Sequence, residues 1–175
     1  MKYLRRLAAF AAKKLVIITL IACLAVYAFY LAFNYSNAYI IVSEGLQKRV
    51  DVCLTREDPA VLTRYFTPEF LDSDPVLAAA FSEASSYWFY NISSFDYDLK
   101  LQNLRWSPLR GTVSCMVTEY VSDISGSVKS EYASTDHPSI EAWKSGRYTV
   151  TLIRDSKGWR IAGLKQDQLY KDTES

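Results

Sequence analysis

The chain has 175 residues, room for one domain of ordinary size beside a short terminal element. Its net charge of +1 is split: residues 1–33 carry five basic side chains and no acid, residues 34–175 carry 15 basic against 19 acidic ones. A mildly acidic body with no Lys/Arg stripe excludes nucleic acid as its main partner, and six scattered glycines leave no phosphate-cradling loop.

Residues 1–14 read as a basic cytoplasmic head, because Lys2, Arg5, Arg6, Lys13 and Lys14 directly precede an apolar run and hold their side inside. Leu15 to Phe33 carries no charge. As a helix it would measure about 28 Å, close to the hydrocarbon thickness of a bilayer. Residues 15–35 are therefore predicted as a transmembrane helix, with Tyr27, Tyr30 and Tyr35 as interfacial aromatics at its outer end. The same run also fits a cleaved secretory signal, since Ser36-Asn37-Ala38 has the small-x-small form. It exceeds the usual signal core of about 7–15 residues, which favours the anchor. Either reading puts residues 36–170 outside the cytoplasm, followed by a tail at 171–175.

Beyond the span Tyr39, Val42, Leu46, Val50 and Cys53 recur every three or four positions, the stripe of an amphipathic helix. Glu44, Gln47, Lys48, Arg49 and Asp51 are assigned to its other side. Gly45 weakens that helix by about 1 kcal/mol relative to Ala. Asp58-Pro59 is a helix start, a capping side chain followed by proline, with Val61, Leu62, Tyr65 and Phe66 as the apolar face. Thr67-Pro68 reads as its stop. Asp74-Pro75 repeats the start, and Val76, Leu77, Ala80, Phe81, Ala84, Tyr87 and Trp88 predict one long helix.

After Ser94 the period becomes two. Phe95, Tyr97, Leu99 and Leu101 alternate with Asp96, Asp98, Lys100 and Gln102, a strand with one face buried. Pro108 to Gly111 supplies a turn, and Val113, Cys115 and Val117 share the buried face of the next strand. Glu119-Tyr120 is read as a bulge or strand end, and Ser122 to Pro138 as a loop or a loose hairpin tip. "RYTVTLIRD" resumes the alternation, and Asp155-Ser156-Lys157-Gly158 turns it back into Trp159 and Ile161, with positive φ at the glycine. Helices first and strands afterwards predict an α+β fold: the N-terminal transmembrane helix, then about three helices packed on a curved antiparallel sheet.

"DPAVLTRYFTPEFL", residues 58–71, and "YTVTLIRDSKGWRIAGLK", residues 148–165, ending in a D-x-x-G-W-x-I hairpin, carry a resemblance. Over roughly residues 38–170 the chain resembles the nuclear-transport-factor-2-like superfamily, also called ketosteroid-isomerase-like or cystatin-like. The resemblance implies a cone-like domain in which a curved sheet wraps a long first helix. With its N-terminal anchor the chain is similar to a bacterial membrane-tethered subset, including scaffold subunits of type IV secretion and conjugation machines. That implies a non-catalytic interaction or assembly domain whose partners are the membrane and envelope or membrane proteins. The superfamily also hosts enzymes and carriers, so it equally implies an alternative, a pocket for a small apolar ligand or an isomerase-like enzyme.

An isomerase-type site needs a buried carboxylate facing a hydroxyl. Asp96 and Asp98 fall in the polar phase of their strand, leaving Glu119, which interrupts an apolar one, as the acid that could point inward. Tyr65, Tyr87, Tyr97 and Tyr148 could supply hydroxyls. His137 is the only histidine and lies in a loop, with no ligand set around it, so neither a metal site nor a cofactor is predicted. The aromatic load, 13 Tyr, 8 Phe and 4 Trp, serves a core, a partner surface or a ligand pocket. Tyr65, Trp88, Trp106, Glu119 and Trp143 are the candidate pocket or partner contacts, with Trp106 and Trp143 expected as surface anchors. Cys53 and Cys115 could bridge in an oxidising compartment or stay as two buried thiols.

Overall fold

The computed structural model describes residues 2–107, 111–134 and 136–169. The turn expected at Pro108–Gly111 lies outside them except for Gly111, as does the tail at 171–175. Helix α1 runs Lys2–Thr55, and the chain divides into two compact units between Asn37 and Ala38.

In the first unit α1 is long and apolar enough to cross a membrane, and none of its most apolar 18-residue stretch is buried. Leu15, Ile18, Ile21, Leu24, Phe29 and Phe33 are all exposed. A core helix of a soluble domain would hide such residues, whereas a membrane span or a secretory signal would not. Phe29 and Phe33, one turn apart, stack at 6.4 Å between ring centres.

In the second unit the stripe on α1 is buried as expected at Val42, Leu46, Val50 and Cys53, while Tyr39 is exposed. Gly45 is where the helix comes closest to its neighbours. A Cβ there would stand 3.0 Å from Tyr65 Cβ and 3.2 Å from Ile161 Cδ1. Arg49 corrects the sequence reading, for it is buried in the middle of the stripe rather than on the solvated side.

The proline-led starts form, but as short pieces. Asp58 caps a 3-10 turn, Pro59–Arg64, by accepting from the Ala60 N–H. Thr67-Pro68 begins a helix instead of ending one: Thr67 caps α2, Pro68–Ser73. Asp74 caps α3, Pro75–Phe81, which stops at Phe81, so the long helix expected through Trp88 is broken. Tyr87 and Trp88 belong to a separate 3-10 turn, Ser86–Phe89. The break falls at Ser82, whose hydroxyl donates to Ala79 O at 2.8 Å and so competes with the helix for that carbonyl.

Four strands follow, β1 Tyr90–Ser107, β2 Thr112–Val128, β3 Gly146–Asp155 and β4 Gly158–Leu169. They form one antiparallel sheet in the order β1-β2-β3-β4. Register shifts after Ile92, Ser94 and Gln102 bend β1, with Asn103 and Asp123 at positive φ beside them. β2 runs straight through Glu119-Tyr120 and on to Val128, so the strand end expected there, and the loop expected from Ser122, are corrected. Gly158 has φ +112° and closes the β3–β4 turn. The core joins Val113, Val117, Val150, Leu152 and Ile161 of the sheet to the α1 stripe, Leu62 and Phe66. Ile161 also donates to Tyr65 O at 2.8 Å and accepts from the Thr67 N–H at 2.9 Å, which covers part of the outer edge of β4.

Candidate functional site

Positions 113, 115, 117, 119 and 121 of β2 all point inward, and the fourth is an acid. Glu119 is 1% exposed. The register sets it across from Leu99 on β1 and Gly146 on β3. Its Oε1 accepts a hydrogen bond from Trp143 Nε1 at 2.8 Å, and its Oε2 one from the Tyr97 hydroxyl at 3.5 Å. Burial pushes the Glu119 carboxyl up, toward the neutral form, against the opposing pull of Trp143, the Arg49 charge and Tyr97. Burial, then the Glu119 charge, pushes the Tyr148 hydroxyl up to about 12.

Trp143 sits in an irregular stretch pinned from three sides. The Tyr87 hydroxyl donates to Glu141 O at 3.0 Å, and the Tyr148 hydroxyl to Lys144 O at 2.8 Å. Ser145 Oγ accepts from the Val121 N–H at 3.0 Å. These bonds fix a loop whose backbone has no ladder of its own, so the indole is positioned before anything binds.

Beside this acid lies a buried ion pair. Arg49 Nε and Nη2 donate to the two carboxylate oxygens of Asp74 at 2.6 and 2.8 Å, with side chains 5% and 2% exposed. Asp74 Oδ1 also accepts from the Val76 N–H at 3.0 Å, so one carboxylate both caps α3 and neutralises the arginine. Burial alone would lower the affinity of Arg49 for its proton; the bonds and charge of Asp74 outweigh it and hold that affinity raised.

Arg49 forms part of the wall of a half-open cleft of about 460 Å³. Val76, Ala79 and Ala80 of α3 make one side, and Tyr87, Trp143 and Tyr148 line the rest with small residues. Glu119 does not line it. The arrangement is a concave wall, mainly apolar, with Arg49 as its buried cationic donor, Glu141, Lys144 and Gln166 as its other polar side chains beside the tyrosines and serines, and a protonatable acid held behind it.

Of the five residues singled out from sequence, only Glu119 and Trp143 come together. Trp143 is 7% exposed, so its expected role as a surface anchor is corrected; its N–H found an acceptor inside the domain. Trp106 is half-buried against the core. Trp88 is covered by the Arg56 guanidinium, 3.9 Å from its ring centre, and donates to the Tyr132 hydroxyl at 2.8 Å. Tyr65 packs on Gly45 and donates to Glu44 at 3.2 Å. Cys53 and Cys115 are buried free thiols, the second of the two alternatives their sequence left open. His137 packs edge-on to Tyr90 at 5.4 Å, and its Nδ1 lies 3.1 Å from that hydroxyl. Among the described residues no group of three His, Cys, Asp or Glu is placed to hold a metal. Sequence reasoning missed Arg49 and Asp74. The signal was present for Arg49, which stands three residues after Leu46 and four before Cys53 and so falls on the apolar stripe.

No family model and no curated protein matches the chain. Among solved structures, the crystal structure of the Kfla4162 protein from Kribbella flavida is similar, with a TM-score of 0.50 and 17% sequence identity. The match covers 80% of this chain and 96% of that one. The likeness shows the fold alone.

Proposed function

We propose that the chain is a single-pass membrane protein, with its basic head in the cytoplasm and residues 36–170 on the far side. There the domain acts as a non-catalytic interaction or assembly subunit of an envelope or transfer complex. We further infer that the domain is a cone-like member of the nuclear-transport-factor-2-like superfamily, similar to the tethered scaffold subunits of type IV secretion and conjugation machines. The exposed apolar stretch of α1 carries the reading: 18 residues, none of them buried among the described residues, favour a non-aqueous solvent. The small triplet Ser36-Asn37-Ala38 lies inside α1, and Ala38 is buried, which favours a retained anchor over a cleaved signal.

A second reading, an apolar-ligand protein or isomerase-like enzyme, draws on Glu119 facing Tyr97. A general base must reach the proton it removes. Glu119 stands outside the cleft lining with both oxygens engaged, which supports binding over turnover.

The test is mild cross-linking in intact cells, detergent extraction, and identification of what co-purifies. Membrane retention through an alkaline wash, an intact mass that includes residues 1–35, and a reproducible protein partner are expected. A protein that always emerges alone and monomeric ends the assembly reading, and a mass beginning after Ala38 ends the anchor.

A further inference from the structure

We propose that the cleft beside α3 is a binding site for a small, electrically neutral molecule, with an apolar body and one hydrogen-bond acceptor, a carbonyl, amide or hydroxyl, seated against Arg49. The inference rests on the apolar-ligand reading, for which it names the site and the chemistry of the occupant, and it is independent of the anchoring and assembly role. The cleft's roughly 460 Å³ falls within the range of small-molecule sites, about 300–1,000 Å³. Its apolar wall, Val76, Ala79 and Ala80 against Trp143, suits a flat or branched hydrocarbon body.

The polar requirement follows from counting donors. A guanidinium has five N–H groups, and two of those on Arg49 go to Asp74. Among the described residues the other three have no acceptor, and Arg49 is not among the side chains with a nitrogen sealed from solvent without a partner, so these donors open to the cleft, where an apolar occupant would strip their water. Such donors are costly to leave unmatched, so an occupant that offers an acceptor gains over one that does not. Charge then selects among acceptors. Asp74 already neutralises Arg49, and an anion at the guanidinium would face that carboxylate and be repelled. A cation would meet Arg49 itself. At the rim Glu141 and Lys144, both exposed, carry opposite signs and add no net charge. A neutral acceptor is what remains.

The experiment titrates the full chain in lipid nanodiscs, with empty nanodiscs subtracted for partition, against three compounds sharing a naphthalene body. These are 2-acetonaphthone, 2-naphthoate and 2-naphthylmethylammonium. Isothermal titration reads the affinity of each for the wild type and for Ala79→Trp, which fills the cleft from an exposed helical position and leaves the ion pair intact. Should Ala79→Trp not fold, Val76→Trp, exposed on the same wall, replaces it. The expected result is saturable binding of the neutral ketone, at least about tenfold tighter than either ion, and at least about tenfold weaker in the variant. No saturable binding of the ketone, equal binding of an ion, or binding untouched by the filled cleft overturns the proposal. None of these outcomes bears on membrane retention or partner capture, so the two readings fail separately.

Discussion

Asp74→Asn isolates the buried ion pair. Asn caps a helix about as well as Asp, so α3 keeps its first hydrogen bond, but the charge opposite Arg49 is gone. The guanidinium has little access to water, since the pair's side chains are 5% and 2% exposed and only the cleft side of Arg49 is open. Removing one partner of such a pair costs about 3–5 kcal/mol, because it strands the other charge in a poor solvent. At roughly 2–4 °C per kcal/mol for a chain of this size, about 4 kcal/mol lowers the unfolding midpoint by about 8–16 °C. Asp74→Ala adds about 1 kcal/mol for the lost cap. The double variant Arg49→Met/Asp74→Asn regains most of the stability, since no charge is left unpaired. Thermal unfolding of the full chain in detergent, followed by near-ultraviolet circular dichroism, reads these four proteins and Arg49→Met alone. A loss below about 1 kcal/mol for Asp74→Asn, or a double variant as unstable as the sum of the singles, refutes the reasoning.

Glu119→Gln tests the buried acid through pH. Burial raises the folded carboxyl above its ordinary value of 4.5, so as pH climbs the unfolded chain gives up its proton first and wild-type stability falls. Gln still accepts from Trp143 and does not ionise. Urea midpoints should therefore favour the variant increasingly from about pH 4.5 upward, and a pH-independent difference would contradict the assignment. Burial pushes Cys53 up to about 12 and Cys115 up to about 11, so neither should react with maleimide in the folded protein at neutral pH. Both should alkylate in denaturant without reductant; failure of both to do so would reveal a bridge. Gly45→Ala gains about 1 kcal/mol of helix propensity but drives a methyl to 3.0 Å from Tyr65 Cβ, an atom that moves only with its backbone. A net loss of about 1 kcal/mol is expected by urea denaturation, and a net gain would show that this contact can yield.

What the sequence made legible was period and punctuation. The stripe from Val42 to Cys53, the alternation after Ser94 and the glycine of the Asp155–Gly158 turn each follow from local sterics or from one burial pattern, and each formed. The misreadings share another cause. Thr67-Pro68 can end one helix or cap the next, and the choice rests on tertiary contacts such as that of Thr67 with Ile161. Arg49 was assigned by residue type where position spoke otherwise, since an arginine on an apolar stripe is inward; Glu119, in phase with four buried neighbours, was singled out as the acid that could point inward and is buried. What period cannot supply is the partner that makes burial tolerable. Asp74 is 25 residues from Arg49, and Trp143 is 24 from Glu119. The cleft between α3 and the Trp143 loop depends on both pairings.

Sidedness of the domain decides more of the account than anything else. Ser130→Cys, made with Cys23→Ala in both the test and the reference protein, places a reactive thiol at an exposed position, while Cys53 and Cys115 stay buried. A membrane-impermeant maleimide applied to intact cells should label that variant, and not the reference protein, without lysis. Labelling that appears only after the cells are broken would put the domain in the cytoplasm and contradict the account.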